Sequence, residues 1–257
     1  GQGYTDLNFI IPETIKKMTY KKGSYYADVG DFSGAGSAAF ETSTIVDKGT
    51  AEITGGKNNF LRAVAIDSFA MNDANVLLAF EVNNNDGPWT DIKEKLKKYN
   101  GLLKYSYPVN DGIFSWTFMA YSNQWNSADQ IPTRAVDQGI IDKLGSIDDT
   151  VGGESSRYSA SLHWQNSNWH ALAYLIRYDM NLWSNFSYFL DDEIKGDQFE
   201  QVDERLIYGG DLSYVFETDW SGILFENKIG VDFRIDNIDE VAPVSYTHLR
   251  AHETLLD

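Results

Sequence analysis

Two histidines, His163 and His170, flank Asn166-Ser167 in the stretch SSRYSASLHWQNSNWHALAYLIRYD, residues 155–179. Side-by-side imidazoles could begin a metal site. A two-residue turn at Asn166-Ser167 would set His163 opposite His170 and Trp164 opposite Trp169. No third or fourth ligand is apparent, and a three-residue turn would break the pairing, so polar lining of an interior wall is the better reading. A second cluster is acidic: Asp191, Asp192, Glu193, Asp197, Glu200, Asp203 and Glu204, with Lys195 and Arg205 as the nearby cations. DDEIKGD has a carboxylate density that suits calcium, but it lacks the D-x-[DN]-x-[DN]-G spacing and the distant glutamate. It reads first as a solvated loop. Asp191 and Asp192 join His163 and His170 as candidate ligand contacts. Catalysis has little support: there is no cysteine, G-x-S-x-G elbow, H-E-x-x-H pair or P-loop. GDFSGAG is glycine-rich, yet no regular helix follows it to hold a phosphate. No enzyme activity, catalytic residue, bound metal or cofactor is expected.

Composition narrows the elements that position these residues. The chain has 257 residues, 42% hydrophobic and 23% charged, which excludes a disordered chain. No apolar run approaches the roughly 18 residues of a spanning helix. Net charge is −17, so nucleic acid is not an expected partner. Aromatic residues make up 14%, a content that suits strands and interfaces. The first residue is Gly1, and the chain reads as a fragment.

Period-two patterning dominates. It predicts strands near 60–70, 76–82, 102–107, 113–121, 157–165, 169–178, 206–217 and 223–234. Phe114, Trp116, Phe118 and Ala120 alternate with Ser115, Thr117, Met119 and Tyr121; Tyr158, Ala160, Leu162 and Trp164 alternate with Ser159, Ser161, His163 and Gln165. Residues 60–70 and 169–178 alternate poorly. Short turns at Asn72-Asp73, Asn110-Asp111-Gly112, Asn166-Ser167 and Asp219-Trp220-Ser221 alternate with long loops near 84–98, 123–156 and 180–205. Tight turns at one end, long loops at the other and apolar-out, polar-in strands suit a transmembrane barrel. A soluble β-sandwich that binds or acts on carbohydrate is the alternative. Ile131–Leu144 carries helical spacing after Pro132 and predicts a short helix inside a loop, with an irregular loop as the alternative. Residues 1–44 are Gly- and Ser-rich, with short strands at 15–20 and 37–44, and a domain boundary falls near Ile45–Lys48.

GQGYTDLNFIIPETIKKMTYKKGSYYADVGDFSGAGSAAFET, residues 1–42, resembles the end of the plug domain of TonB-dependent outer-membrane receptors. The segments that carry the likeness are G-x-G-Y-x-D-x-N-F-x-I-P-E, K-G-x-Y-Y-A-x-x-G-D-F and the strand beginning A-G. Their motif residues here are Gly3, Tyr4, Asp6, Asn8, Pro12, Glu13, Gly23, Tyr25, Tyr26, Gly30, Asp31 and Phe32. The stretches 129–159 and 185–205 are similar to later parts of the same family. The resemblance implies an all-β fold, a partial transmembrane antiparallel barrel with about nine of some 22 strands, closed at one end by the C-terminal part of a plug. It implies residues 1–47 as plug, 48–243 as barrel and a bacterial outer-membrane location. The partners implied are TonB, membrane lipid and an imported scarce solute: a siderophore-bound iron, cobalamin, another metal complex or an oligosaccharide. On this reading Tyr158, Ala160, Leu162 and Trp164 face lipid, and Trp164, Trp169 and Trp220 form an interfacial aromatic girdle. The ninth strand is expected to end near Arg234, with Pro243 stopping any continuation. VSYTHLRAHETLLD, residues 244–257, resembles a peptide translated from sequencing-adapter DNA and is expected to add nothing to the fold; a genuine loop is the alternative.

Overall fold

The computed structural model describes residues 6–30, 33–128, 130–193 and 196–245, with side chains described to 242. Gly3, Tyr4, Asp31, Phe32 and the tail from 246 lie outside the described residues. The protein is all-β. One antiparallel sheet of nine strands, consecutive in chain order, runs from β3 to β11, and β1 pairs with β2 in a separate two-stranded sheet. The large sheet is open, with β3 and β11 at its edges. No helix among the described residues is long and apolar enough to cross a membrane, which leaves crossing by strands untouched.

The N-terminal segment comprises a 3-10 turn at Pro12–Thr14, β1 (Ile15–Lys22), a second 3-10 turn at Ala27–Val29 and β2 (Gly36–Thr42). Gly23 and Gly30 adopt φ of 80° and 70°, where a side chain would be strained, so both motif glycines serve turns. A connector at 43–49 leads to β3 (Thr50–Gly55), β4 (Leu61–Met71), β5 (Ala74–Asn85), β6 (Leu96–Val109), β7 (Gly112–Asn126), β8 (Gly152–Gln165), β9 (Trp169–Ser184), β10 (Phe199–Trp220) and β11 (Ile223–Ser245).

Turns and loops fall at opposite ends of the sheet, as antiparallel succession requires. Asn72 and Asn110 open two-residue connections at φ of 55°, a left-handed conformation that asparagine tolerates well. The β10–β11 turn is Ser221-Gly222, with Trp220 the last residue of β10. At the other end lie loops 86–95, 127–151 and 185–198, shorter than the expected ones because β5–β10 extend further. The helix within 127–151, α1, spans only Thr133–Asp137.

Two expectations are corrected. The β8–β9 connection pairs Gln165 with His170, so His163 faces Leu172 and Trp164 faces Ala171. The Asn166 side-chain oxygen accepts the backbone N–H groups of Asn168 and Trp169, which widens the turn. The ninth strand does not stop near Arg234: Asp236, Asn237, Asp239 and Glu240 lie within β11, and Pro243 and Val244 pair with Gln201 and Glu200. Proline is tolerated there because β11 is an edge strand, and a register shift between Glu204 and Arg205 accommodates an extra residue in β11.

The core lies between the N-terminal segment and one face of the sheet. Ile11, 1% exposed, enters a cluster of Val64, Ile66, Leu77, Ala79 and Leu102, with Val46 and Met119 against it. Segment 60–70 alternates poorly for this reason: Val64 and Ile66 meet Ile11 on one face, while Ala63, Ala65 and Phe69 stand on the other. Both faces are apolar, so the period is lost.

Candidate functional site

The face of the sheet turned to the N-terminal segment is mostly polar outside that cluster, with Leu172, Tyr174 and Ile176 of β9 as an apolar stretch. Glu13, on the 3-10 turn, receives Arg62 of β4 in a two-pronged contact, Nη1 to Oε1 at 2.6 Å and Nη2 to Oε2 at 2.8 Å. Arg62 also donates through Nε to Glu81 of β5 at 2.6 Å. Glu81 is 1% exposed and meets Lys98 at 3.2 Å and the Asn100 amide at 2.8 Å. That amide also donates to the backbone oxygen of Asn8 at 2.9 Å. Buried charges persist only when paired, and here a glutamate with two cationic neighbours and an amide donor meets the requirement. The Arg62 hydrogen bond holds the Glu13 carboxyl below its ordinary range against the opposing effect of burial.

Further contacts extend this seam. Arg157 of β8 stacks on the Phe9 ring, 3.9 Å from its centroid, and Tyr121 of β7 reaches Asp6 at 3.4 Å and Ser155 at 3.1 Å. Lys104 of β6 donates to the backbone oxygen of Thr42 at 2.9 Å. Asp28 bridges Lys21 at 2.7 Å and Lys228 of β11 at 3.2 Å, and the Lys21 hydrogen bond is the largest cause of its lowered pKa. Among the described residues, the side-chain oxygens of Asn83, Asn100 and Asn123 are buried acceptors with no hydrogen-bond partner in the chain. They line the same wall and are suited to a solute or solvent that donates hydrogen bonds.

The motif residues divide. Asp6, Asn8, Pro12 and Glu13 meet the seam or shape it, with Asn8 also capped by Asp6 at 2.8 Å. Tyr25 is exposed, and Lys21 lies over the Tyr26 ring at 5.0 Å. His163 and His170 share the inner face as diagonal neighbours, ring centroids 4.8 Å apart, and His170 Nδ1 lies 2.6 Å from Asp211 Oδ1. No group of three or more metal-ligating side chains occurs among the described residues. In the acidic loop the Asp197 carboxylate turns inward to accept the backbone N–H groups of Leu190, Asp191 and Asp192 at 2.8–3.2 Å. It shapes that loop in the way a turn-capping aspartate does.

The opposite face is apolar over a limited height. Trp116, Phe118, Leu162, Leu212 and Phe216 all project there and are exposed. Trp164, Trp169 and Trp220 stand on the same face toward the short-turn end, Trp169 against Tyr214 at 4.6 Å. Toward the loops the face turns charged: Arg177 contacts Asp179, Glu204 and Asp239.

Sequence reasoning passed over Arg62, Glu81, Lys98, Asn100, Tyr121 and Arg157. A glutamate and an arginine on adjacent predicted strands were the available signal, but nothing in spacing says which face the N-terminal segment covers. No family model matches the chain, and no curated protein matches it either.

Proposed function

We propose that this chain is part of an outer-membrane receptor of the TonB-dependent type: the end of a plug seated on the first strands of a barrel wall. Such a receptor captures a scarce solute outside and imports it with energy delivered through TonB. The observation that carries the reading is the two-sided character of the nine-stranded sheet. One face is exposed and apolar over about 20 Å, as from Phe114 to Ala120 on β7 at roughly 3.4 Å per residue, and gives way to charge toward the loops. The other face is polar and engages residues 6–47 through Glu13, Asn8, Phe9 and Thr42. A water-exposed sheet has no reason to present so much contiguous apolar surface. A lipid-facing wall does, and the segregation of tight turns from long loops agrees with it.

The solute on this reading meets the inner wall and the loops, where His163, His170 and the amides of Asn83, Asn100 and Asn123 offer donors and acceptors. The test is membrane partition. Chain expressed with an outer-membrane export signal should sediment with membranes, resist washing with high salt and alkali, and require detergent for release. Recovery in the soluble fraction as a monodisperse monomer would overturn the reading and favour a soluble carbohydrate-binding or carbohydrate-active protein.

A further inference from the structure

We propose that residues 23–30 form a hinged flap, latched to strand β11 by the Asp28–Lys228 ion pair, over a cavity between the N-terminal segment and strands β9–β11. The hinge and the latch stand on the chain's own geometry. The side of the membrane to which the cavity opens rests on the receptor reading.

Anchoring of the N-terminal segment is uneven. It is held to the sheet at the base of its two strands, by Ile11 in the apolar cluster, Glu13 on Arg62 and Thr42 on Lys104. From that base the β1–β2 ladder runs out to Lys22 opposite Gly36, and the flap lies beyond it. Residues 24–28 are all exposed, Tyr25 at 89%. Gly23 and Gly30 bound the flap at φ of 80° and 70°, and a Cβ on Gly23 would stand 2.7 Å from the Tyr25 ring. Glycine opens backbone conformations closed to other residues, and that freedom at both ends of a short exposed segment makes a hinge.

The latch is electrostatic. Asp28 lies 2.7 Å from Lys21 of β1 and 3.2 Å from Lys228 of β11. These three side chains are 29–47% exposed, and a pair in that setting stabilises by no more than about 1 kcal/mol. A hold of that size is easily released. Once free of Lys228, Asp28 keeps Lys21, whose flexible stem follows it, so the open flap carries no stranded carboxylate. Gly30 rests close to β11 as well, where a Cβ would stand 3.4 Å from the Asp232 carboxylate.

Beneath the flap is a cavity of about 810 Å³. Asp28, Val29 and Gly30 form one wall, and His170, Asp211 and Arg234 stand on the other. Ser167, in the β8–β9 connection, also lines it, which puts the cavity at the short-turn end of the sheet. In a receptor barrel the short turns face the periplasm. Release of the latch therefore widens the periplasmic end of the space between segment and wall, while the Glu13–Arg62 joint stays in place.

The chain has no cysteine, so spin labels can be placed at chosen pairs without background. One pair, Tyr25→Cys with Ser167→Cys, reports the flap; the other, Ala39→Cys with Ser167→Cys, reports β2. Distances are measured by pulsed electron resonance on the full chain in detergent. The flap pair should show a short and a long distance, and Lys228→Gln should raise the ratio of long to short about threefold, as loss of an exposed ion pair would. Salt at about 1 M should move the unaltered chain in the same direction by screening the pair. Lys17→Gln, which removes the 3.3 Å pair with Glu41 inside the β1–β2 ladder, should leave the ratio unchanged, and the β2 pair should keep one distance throughout. Far-UV circular dichroism verifies strand content; if Lys228→Gln loses it, Asp28→Asn breaks the same latch from the flap side and decides. A flap distance that neither latch variant moves overturns the proposal, and so does lengthening of both pairs together, which would show the segment leaving as a whole. Recovery of the chain in the soluble fraction would overturn the receptor reading and the side assigned to the cavity, while the two distances still decide the flap.

Discussion

Glu13 joins two parts of the molecule through one carboxylate, and its chemistry makes that joint sensitive to acid. Its folded-state pKa lies below the ordinary glutamate value of about 4.3, through the Arg62 hydrogen bond. A group depressed on folding contributes stability that is complete above its unfolded value and is lost as pH falls through the folded one. Protease susceptibility of residues 6–47 should therefore rise as pH drops below about 4.3. Glu13→Gln should raise it at neutral pH and flatten the acid step. Asp28, depressed by Lys21 and then by Lys228, acts in the same direction, so part of the step should survive in Glu13→Gln and shrink further when Asp28→Asn is added. Ile11 supports the same joint by burial in the Val64–Leu77–Leu102 cluster. Ile11→Ala should cost about 2–5 kcal/mol by denaturant titration, the range for removing a fully buried aliphatic side chain.

At the scale of elements, the long loops lock onto one another. Asp148 and Thr150 of loop 127–151 receive Asn185 at 2.8 Å and Gln198 at 2.7 Å from the ends of loop 185–198, and all but Thr150 are buried. The Tyr188 hydroxyl donates to the Gln130 backbone oxygen. Loop 86–95 joins through Thr90, whose hydroxyl meets Asp142 at 2.9 Å. Loops that carry this many buried polar contacts form a fixed rim. Asn185→Ala removes one buried donor from the Asp148 carboxylate, which keeps Gln198 at 3.4 Å and the Thr150 backbone N–H at 2.9 Å, a loss of about 1–3 kcal/mol. Amide exchange should then quicken in 127–151 and 185–198 together while β4–β6 are unchanged; exchange confined to 185–198 would show the loops to be independent.

For the whole molecule the decisive quantity is the free energy of the apolar face. Phe118 stands midway along it, so Phe118→Arg should cost about 2–4 kcal/mol in a membrane-inserted wall, measured by reversible unfolding from vesicles. In water the same change would be nearly neutral or would improve solubility, because an exposed ring is replaced by a hydrated charge. The sign of the effect thus separates a lipid-facing wall from a solvent-facing sheet. Met119, its inward-facing neighbour, packs against the Ile11 cluster and should respond to polar substitution in either setting.

The sidedness of β7, β8 and β10 was legible in the sequence because period-two alternation reports directly on strands with one apolar and one polar face, whereas β3 was not among the eight strands that the alternation predicted. The turn asparagines were legible for a local reason: few other residues take φ near 55° cheaply. Segments 60–70 and 169–178 were not legible. Ile11 covers Val64 and Ile66, and Leu172, Tyr174 and Ile176 stand behind Leu175, so both faces of these strands are apolar and the period vanishes. The diagonal placement of His163 and His170 depended on how Asn166 folds the turn, and the extension of β11 through Pro243 on its lying at an edge. The seam of Glu13, Arg62, Glu81 and Asn100 joins residues as far as 92 positions apart. Sequence spacing determines which face of a strand a side chain occupies, but only the docking of the N-terminal segment decides which of those side chains meet.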